Sequence, residues 1–476
     1  MNMLKVTARR LIHGALFALL LNAISGAADA YEGNADLPGK NLLASAVSGY
    51  SARDYDPGES SEVETERLEL GELFEAAFRG NPSIASARAE WRAAVEMYPQ
   101  ATSWPDPTLN VTVSSDLGFE LMQMIPNPRR QNLMGDRALT MAEMARVRYE
   151  KTVRDVLVDV MRSYFELGYQ HRAVEIAETN RDLFAQLVEL ADLRYAQNEI
   201  PMAELSAVES RLAQAEYEVH LLTELIMSEE ANMRFLLGVA PDYRLAVVNL
   251  PHVETVSLER EEIRNRILEY RQELEMAGIA VDAAEVDFSI ARSERGPDFS
   301  IGLMYNSMSG SSMNDGMQSS GGDTFGVMLG VTIPLWEGKN RAREEEAEAR
   351  LDAARSDLDS ERNRAFADAD RIYWQLQNQA RLVELYRKTL LPQAAQAAEL
   401  AQTWYEQEQV SFMELVESRM VVENFELATA RAEADYLETV AELGRLIGAP
   451  VMGWNSGGVE ETTSEETQNE EGQEVS

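Results

Sequence analysis

The chain has 476 residues, 81 acidic against 43 basic, for a formal net charge of -38. Such a surface repels nucleic acid and anionic lipid headgroups, so no nucleic-acid partner is expected. The absence of cysteine excludes a disulfide framework, a thiolate metal site and lipidation of an N-terminal Cys.

At the N-terminus Lys5, Arg9 and Arg10 precede an apolar stretch, Leu11–Ile24, and Ala28-Asp29-Ala30 fits the small-x-small cleavage rule. The apolar run is too short to span a bilayer, so residues 1–30 read as a cleaved secretory signal. Its loss removes three positive charges and one negative, moving the net charge from -38 to -40. No later stretch approaches eighteen consecutive apolar residues, so a membrane crossing would have to be made by strands. Residues 31–67, rich in Ser, Gly and Asp, are expected to form an extended segment.

Two long stretches then repeat one another. Leu68, Leu73, Ile84, Pro107 and Val111 fall on Leu258, Ile263, Leu274, Pro297 and Ile301. Further on, Ile125-Pro126 matches Ile333-Pro334 and Tyr164-Phe165 matches Tyr373-Trp374. Tyr195–Leu205 (YAQNEIPMAEL) matches Tyr405–Leu415 (YEQEQVSFMEL), and Leu236-Leu237-Gly238 matches Leu446-Ile447-Gly448. A unit this long is no solenoid module. It predicts two copies of one substructure, 68–240 and 257–450, joined by a Pro-containing linker over 241–256. The tail, 451–476, holds seven Glu after Gly453 and no basic residue, a composition expected to be disordered.

Each copy predicts a helix, short strands, a long helix and a shorter one. Val153, Leu157, Val160, Tyr164 and Leu167 are spaced as a heptad seam, which Leu183, Leu187, Leu190 and Leu193 resume. In the second copy Ile372, Leu376, Val383, Tyr386 and Leu390 are spaced similarly. From Leu133 to Glu199 no Pro intervenes and only Gly135 and Gly168 weaken the helix, which at 1.5 Å per residue would reach about 100 Å. Pro201 and Ser411 mark the turns of two helical hairpins. Strand patterns occur at the other end of these helices. Phe299, Ile301, Leu303 and Tyr305, and then Phe325, Val327, Leu329, Val331 and Ile333, alternate with small or polar residues. The first copy offers Leu109, Val111 and Val113, then Phe119 to Ile125. Period two suits one face in lipid and one in a water-filled lumen. Four strands cannot close a barrel, and open edges are not tolerated in lipid, so several chains would have to share one barrel.

These features resemble the TolC-type outer-membrane efflux protein family. The resemblance is carried by the opening Leu-x-Leu-x-x-Leu with Asn81-Pro82, by Trp104-Pro105-Asp106-Pro107 and its partner Gly296-Pro297-Asp298, and by Val331-Thr332-Ile333-Pro334-Leu335. The Tyr-containing hairpin turns and the Leu-Leu-Gly and Leu-Ile-Gly ends of the repeats complete it. The fold it implies is mainly α with a small transmembrane β part. A homotrimer would form a 12-stranded barrel, four strands per chain, on an α-helical barrel. The function it implies is the outer-membrane exit duct of a tripartite efflux system. Such a duct is seated in outer-membrane lipid, extends into the periplasm, and works with a periplasmic adaptor (membrane fusion) protein and an inner-membrane pump. The resemblance also places a gate at the hairpin turns, on Tyr405, Glu414 and Glu417 of the second hairpin and Glu204 of the first.

Three further readings follow. Met304, Met308, Met313 and Met317 lie in or beside a Gly/Ser-rich stretch, and thioethers suit soft ions, so heavy-metal efflux stands beside drug efflux as a cargo class. No catalytic or cofactor-binding pattern is found: His171, His220 and His252 have no ligand-spaced partner, and residues 309–322 lack the Lys of a phosphate loop. The alternative to a duct is a secreted periplasmic coiled-coil scaffold or adaptor that never enters the membrane.

Overall fold

The computed structural model describes residues 70–113, 117–251, 253, 259–307, 324–407 and 409–448. The first copy opens with α1 (Leu70–Gly80), α2 (Pro82–Val95) and α3 (Met97–Thr102). Strands β1 (Thr108–Val113) and β2 (Leu117–Ile125) follow, then α4 (Pro128–Ala196) and α5 (Met202–Leu237). The same succession recurs in α6 (Arg260–Tyr270), α7 (Gln272–Ser293), β3 (Asp298–Ser307) and β4 (Thr324–Thr332). It continues in α8 (Glu337–Leu385), a π-helical turn (Tyr386–Leu390), α9 (Leu391–Glu406) and α10 (Phe412–Ile447). The expected signal over 1–30, the expected extended segment over 31–67, residues 451–476, His252 and Met308, Met313 and Met317 lie outside the described residues. Among the described residues no helix is long and apolar enough to cross a membrane.

The chain forms two compact units, each drawing on both copies: residues 70–85, 150–271 and 364–448 in one, and 86–149 and 272–363 in the other. In the second unit the sheet has strand order β1-β2-β3-β4, every pair antiparallel. Its register aligns Leu109, Leu121, Leu303 and Val327 in one row, and Val111, Phe119, Tyr305 and Phe325 in the next. These eight lie on one face, because side chains alternate along a strand. The other face carries Asn110, Glu120, Met304 and Gly326 in register. The apolar face is uncovered, with Leu329 77% exposed and Phe325 69%. The long helix α4 starts at its own signal: Pro128 opens the first turn and the Asn127 side chain accepts the Arg129 N–H at 3.0 Å.

The other unit is a helical bundle. Val153, Leu157, Val160 and Leu167 are buried as the heptad predicts, but Phe165 is fully buried in place of Tyr164. Val156, Val158 and Met161 are buried too, so α4 is covered on more than one side and a single heptad stripe understates its contacts. Leu193, expected in the seam, is 62% exposed because it lies in the last turn before the hairpin bend.

Helix α4 of the first copy and α10 of the second run antiparallel and are tied by charge. Arg431 meets Glu166 at 2.6 Å, Arg162 meets Glu438 at 3.7 Å, and Arg445 pairs with Asp159. Burial pushes Glu438 up to about 7 despite the pull of Arg431 and Arg162, because those contacts are long and Glu166 and Asp435 share Arg431. The linker packs onto the helices: Gly168 leaves room for the Leu250 backbone, and Arg234 donates to the Tyr243 carbonyl at 2.7 Å. At the far end of α1, Gly80 and Gly238 let two backbones touch. Gly238 adopts φ +67, and a Cβ there would run into the Gly80 carbonyl. Buried Asn81 fixes the same corner, donating to the Leu236 carbonyl at 2.7 Å and accepting the Ser83 N–H at 2.8 Å.

Candidate functional site

Both hairpin turns are closed the same way. Helix α4 ends with Glu199 N–H donating to the Arg194 carbonyl at 2.9 Å, and α9 with Gln409 N–H donating to the Trp404 carbonyl at 2.8 Å. These residues correspond in the repeat, and the long-reach bond is that of a Schellman-type stop. In the first turn Asn198 supplies the left-handed residue, φ 59, a conformation Asn tolerates. The helices that follow begin differently. Pro201 opens α5 with no side-chain cap, whereas Ser411 opens α10 with a reciprocal capping box. The Glu414 N–H donates to the Ser411 hydroxyl at 3.2 Å, and the Ser411 N–H donates to the Glu414 carboxylate at 2.7 Å.

This geometry divides the four site residues expected from the sequence. Tyr405 is half-buried between the hairpins, its ring 5.8 Å from that of Phe412 and 5.5 Å from the Arg194 guanidinium. Arg194 is itself held by Glu199 at 2.6 Å. The Tyr405 hydroxyl is buried without a hydrogen-bond partner among the described residues. Burial raises its pKa, Arg194 opposes this, and the charges of Glu199 and Glu204 add to the rise. Tyr405 and half-buried Glu204 are therefore electrostatic neighbours across the two turns. Glu414 and Glu417 are exposed and lie one turn apart at the start of α10. Glu414 is engaged in its own helix cap, while Glu417 has no ion-pair partner among the described residues. Arg194, Glu199 and Phe412 were missed from sequence; the Ser411-x-x-Glu414 pattern was a readable capping signal.

A second acidic position lies deeper in the bundle. Glu423 of α10 sits beside Asn180 of α4 and Glu218 of α5. Burial, then repulsion from Glu218, pushes its carboxyl up to about 7, while the Asn180 amide pulls the other way. Among the described residues no cluster of three acidic or imidazole ligands could hold a metal ion.

Residues 263–449 match the family model described as outer membrane efflux protein. Comparison with curated proteins gave no match. Among solved structures, the outer membrane protein VceC from Vibrio cholerae is similar, with TM-score 0.67 and 19% identity over 80% of this chain and 96% of that one. The MtrE outer membrane channel of Neisseria gonorrhoeae, in its open state, gives TM-score 0.63 and 16% identity over 80% and 89%. The Campylobacter jejuni CmeC outer membrane channel gives 0.62 and 14% over 87% and 94%. The second copy thus carries the match to the outer membrane efflux protein model, and the fold of the chain is that of these outer membrane channels.

Proposed function

We propose that the chain is the exit duct of a tripartite efflux system: a homotrimer that shares one 12-stranded barrel in outer-membrane lipid and conducts cargo passed on by an adaptor and an inner-membrane pump. The observation that carries this reading is the four-stranded sheet. Its apolar face is continuous across all four strands and uncovered, and its outer strands β1 and β4 each have one unpaired edge. In lipid those edges must be closed, and within a symmetric ring the β4 edge of one chain closes on the β1 edge of the next. A secreted scaffold has no use for such a face.

The hairpin turns are the gate in this reading. Tyr405 packs the two hairpins of one chain together, Glu204 biases its phenol, and the symmetry of the trimer turns Glu417 into a ring of exposed carboxylates that attracts cations. Glu414 serves the gate chiefly by fixing the start of α10. Native mass spectrometry in mild detergent tests the assembly: three chains are expected, and a lone monomer soluble without detergent would favour the scaffold. Cation-to-anion permeability tests the gate. Glu417→Ala should lower it more than Glu414→Ala, and the reverse order would remove Glu417 from the ring.

A further inference from the structure

All four methionines of the sheet point the same way. Met122 and Met124 lie in β2, Met304 in β3 and Met328 in β4, and all share the face of Asn110 and Glu120. The opposite, apolar face has no Met. Met is itself apolar, and on a lipid-type face it would need no explanation. On the face it occupies, the other residues are Thr, Asn, Ser, Asp, Glu and Gly, the composition of a wall against water. A thioether there contributes neither to a lipid-facing surface nor to a packed core.

The register brings three of these side chains around one glycine. Gly302 pairs with Met122 on one side and with Met328 on the other, and Met304 is the next residue of β3 on the same face. Met304 is diagonal to both at about 7–8 Å, a separation that long side chains bridge. Gly302 leaves the centre open: a Cβ there would stand 3.6 Å from the Met328 Cβ and 3.9 Å from the Met122 Cα. A second glycine, Gly326, makes room for Met304, whose methyl would lie 3.1 Å from a Cβ added there. The Met304 side chain therefore already reaches from β3 across to β4, the strand of Met328. All three methionines are half-buried, so a solute can reach them. Glu120, paired with Met304 in the register, sets a negative charge beside them.

Three neutral, polarizable sulfurs with a carboxylate nearby suit a soft monovalent cation. Magnesium and calcium prefer oxygen donors, and zinc prefers imidazole or thiolate. We infer that Met122, Met304 and Met328 form a thioether site for copper(I) or silver(I) on this face of the sheet. Its position on the lumen wall, repeated once per chain around the barrel, rests on the exit-duct reading.

Silver(I) titration of the purified full chain, followed by calorimetry in mild detergent and chloride-free buffer, tests the site. One tight equivalent per chain is expected, with affinity unchanged between about pH 5.5 and 8, because thioethers do not take up protons as an imidazole would. Leucine conserves the volume of methionine, so the variants should fold. Met122→Leu, Met304→Leu and Met328→Leu should each weaken the tight equivalent by about tenfold or more. The three together should abolish it, whereas Met308→Leu, Met313→Leu and Met317→Leu combined should leave it intact. Retention of the tight equivalent in the first triple variant, or its loss in the second, would overturn the site. In a planar bilayer with nitrate salts, silver(I) should reduce the wild-type current and leave that of the first triple variant unchanged. A wild-type current indifferent to silver(I) would remove the site from the lumen. A channel that conducts without the tight equivalent would sink the site alone, and a protein that binds silver(I) but never conducts would sink the duct reading alone.

Discussion

Glu423 offers a quantitative test of how α10 is packed. Its carboxyl is raised from the usual 4.5 to about 7, first by burial and then by Glu218, with Glu426 adding to the rise and only the Asn180 amide opposing it. A rise of about 2.5 in pKa corresponds to about 3 kcal/mol, and partial solvent screening brings the expected value to about 1–2 kcal/mol. The sign follows from proton binding. In the unfolded chain the group loses its proton near 4.5, whereas in the folded chain it keeps it to about 7, so the folded state holds more protons between those limits. Stability conferred by the protonated group is thus complete below about pH 4.5, falls as pH rises, and stops falling above about pH 7. Glu423→Gln keeps the shape and removes the titration. Its thermal midpoint, followed by circular dichroism in detergent, should match wild type near pH 4.5 and exceed it near pH 8 by the equivalent of about 1–2 kcal/mol. Because Glu438 titrates in both proteins, the difference isolates Glu423. A difference that stays flat across this range would refute the packing of Glu423 described above, and one that grows towards acid would reverse its sign.

Other substitutions probe the corners of the structure. Gly238→Ala should destabilise by about 3 kcal/mol or more, combining left-handed strain with a clash against the Gly80 carbonyl, and an unchanged melting curve would contradict that close approach. Ser411→Ala removes the reciprocal cap of α10 and should cost about 1 kcal/mol in denaturant titration, with no loss if the box is incidental. Tyr405→Phe deletes a buried hydroxyl that has no partner and should leave stability unchanged or slightly raised. Tyr405→Ala, which loses the packing on Phe412 and Arg194, should cost about 2–4 kcal/mol. A large loss in the Phe variant would mean that the hydroxyl has a partner after all.

The strands were legible because alternation is unambiguous where one face is uncovered. Phe299, Ile301, Leu303 and Tyr305 all lie in β3, and Phe325, Val327, Leu329 and Val331 in β4. Ile333 falls just past the end of β4, since Pro334 lacks a ladder N–H. The hairpin turns at Pro201 and Ser411 were legible for local reasons, both residues standing at the helix caps. Helix α4 begins five residues before the expected Leu133, and the Asn127-Pro128 signal that starts it was in the sequence. The charged rungs between α4 and α10 were not legible, because they join residues more than 260 positions apart through packing that no local pattern encodes. That Glu414 is taken up by its own helix cap while Glu417 is not needed the backbone geometry of the cap.

Single-channel recording of the purified protein in a planar bilayer tests the central claim most directly. Discrete, cation-selective steps, with selectivity reduced in Glu417→Ala, are what an exit duct gated at its hairpin turns predicts. A folded, oligomeric protein that inserts without passing current, or that never inserts, would contradict it.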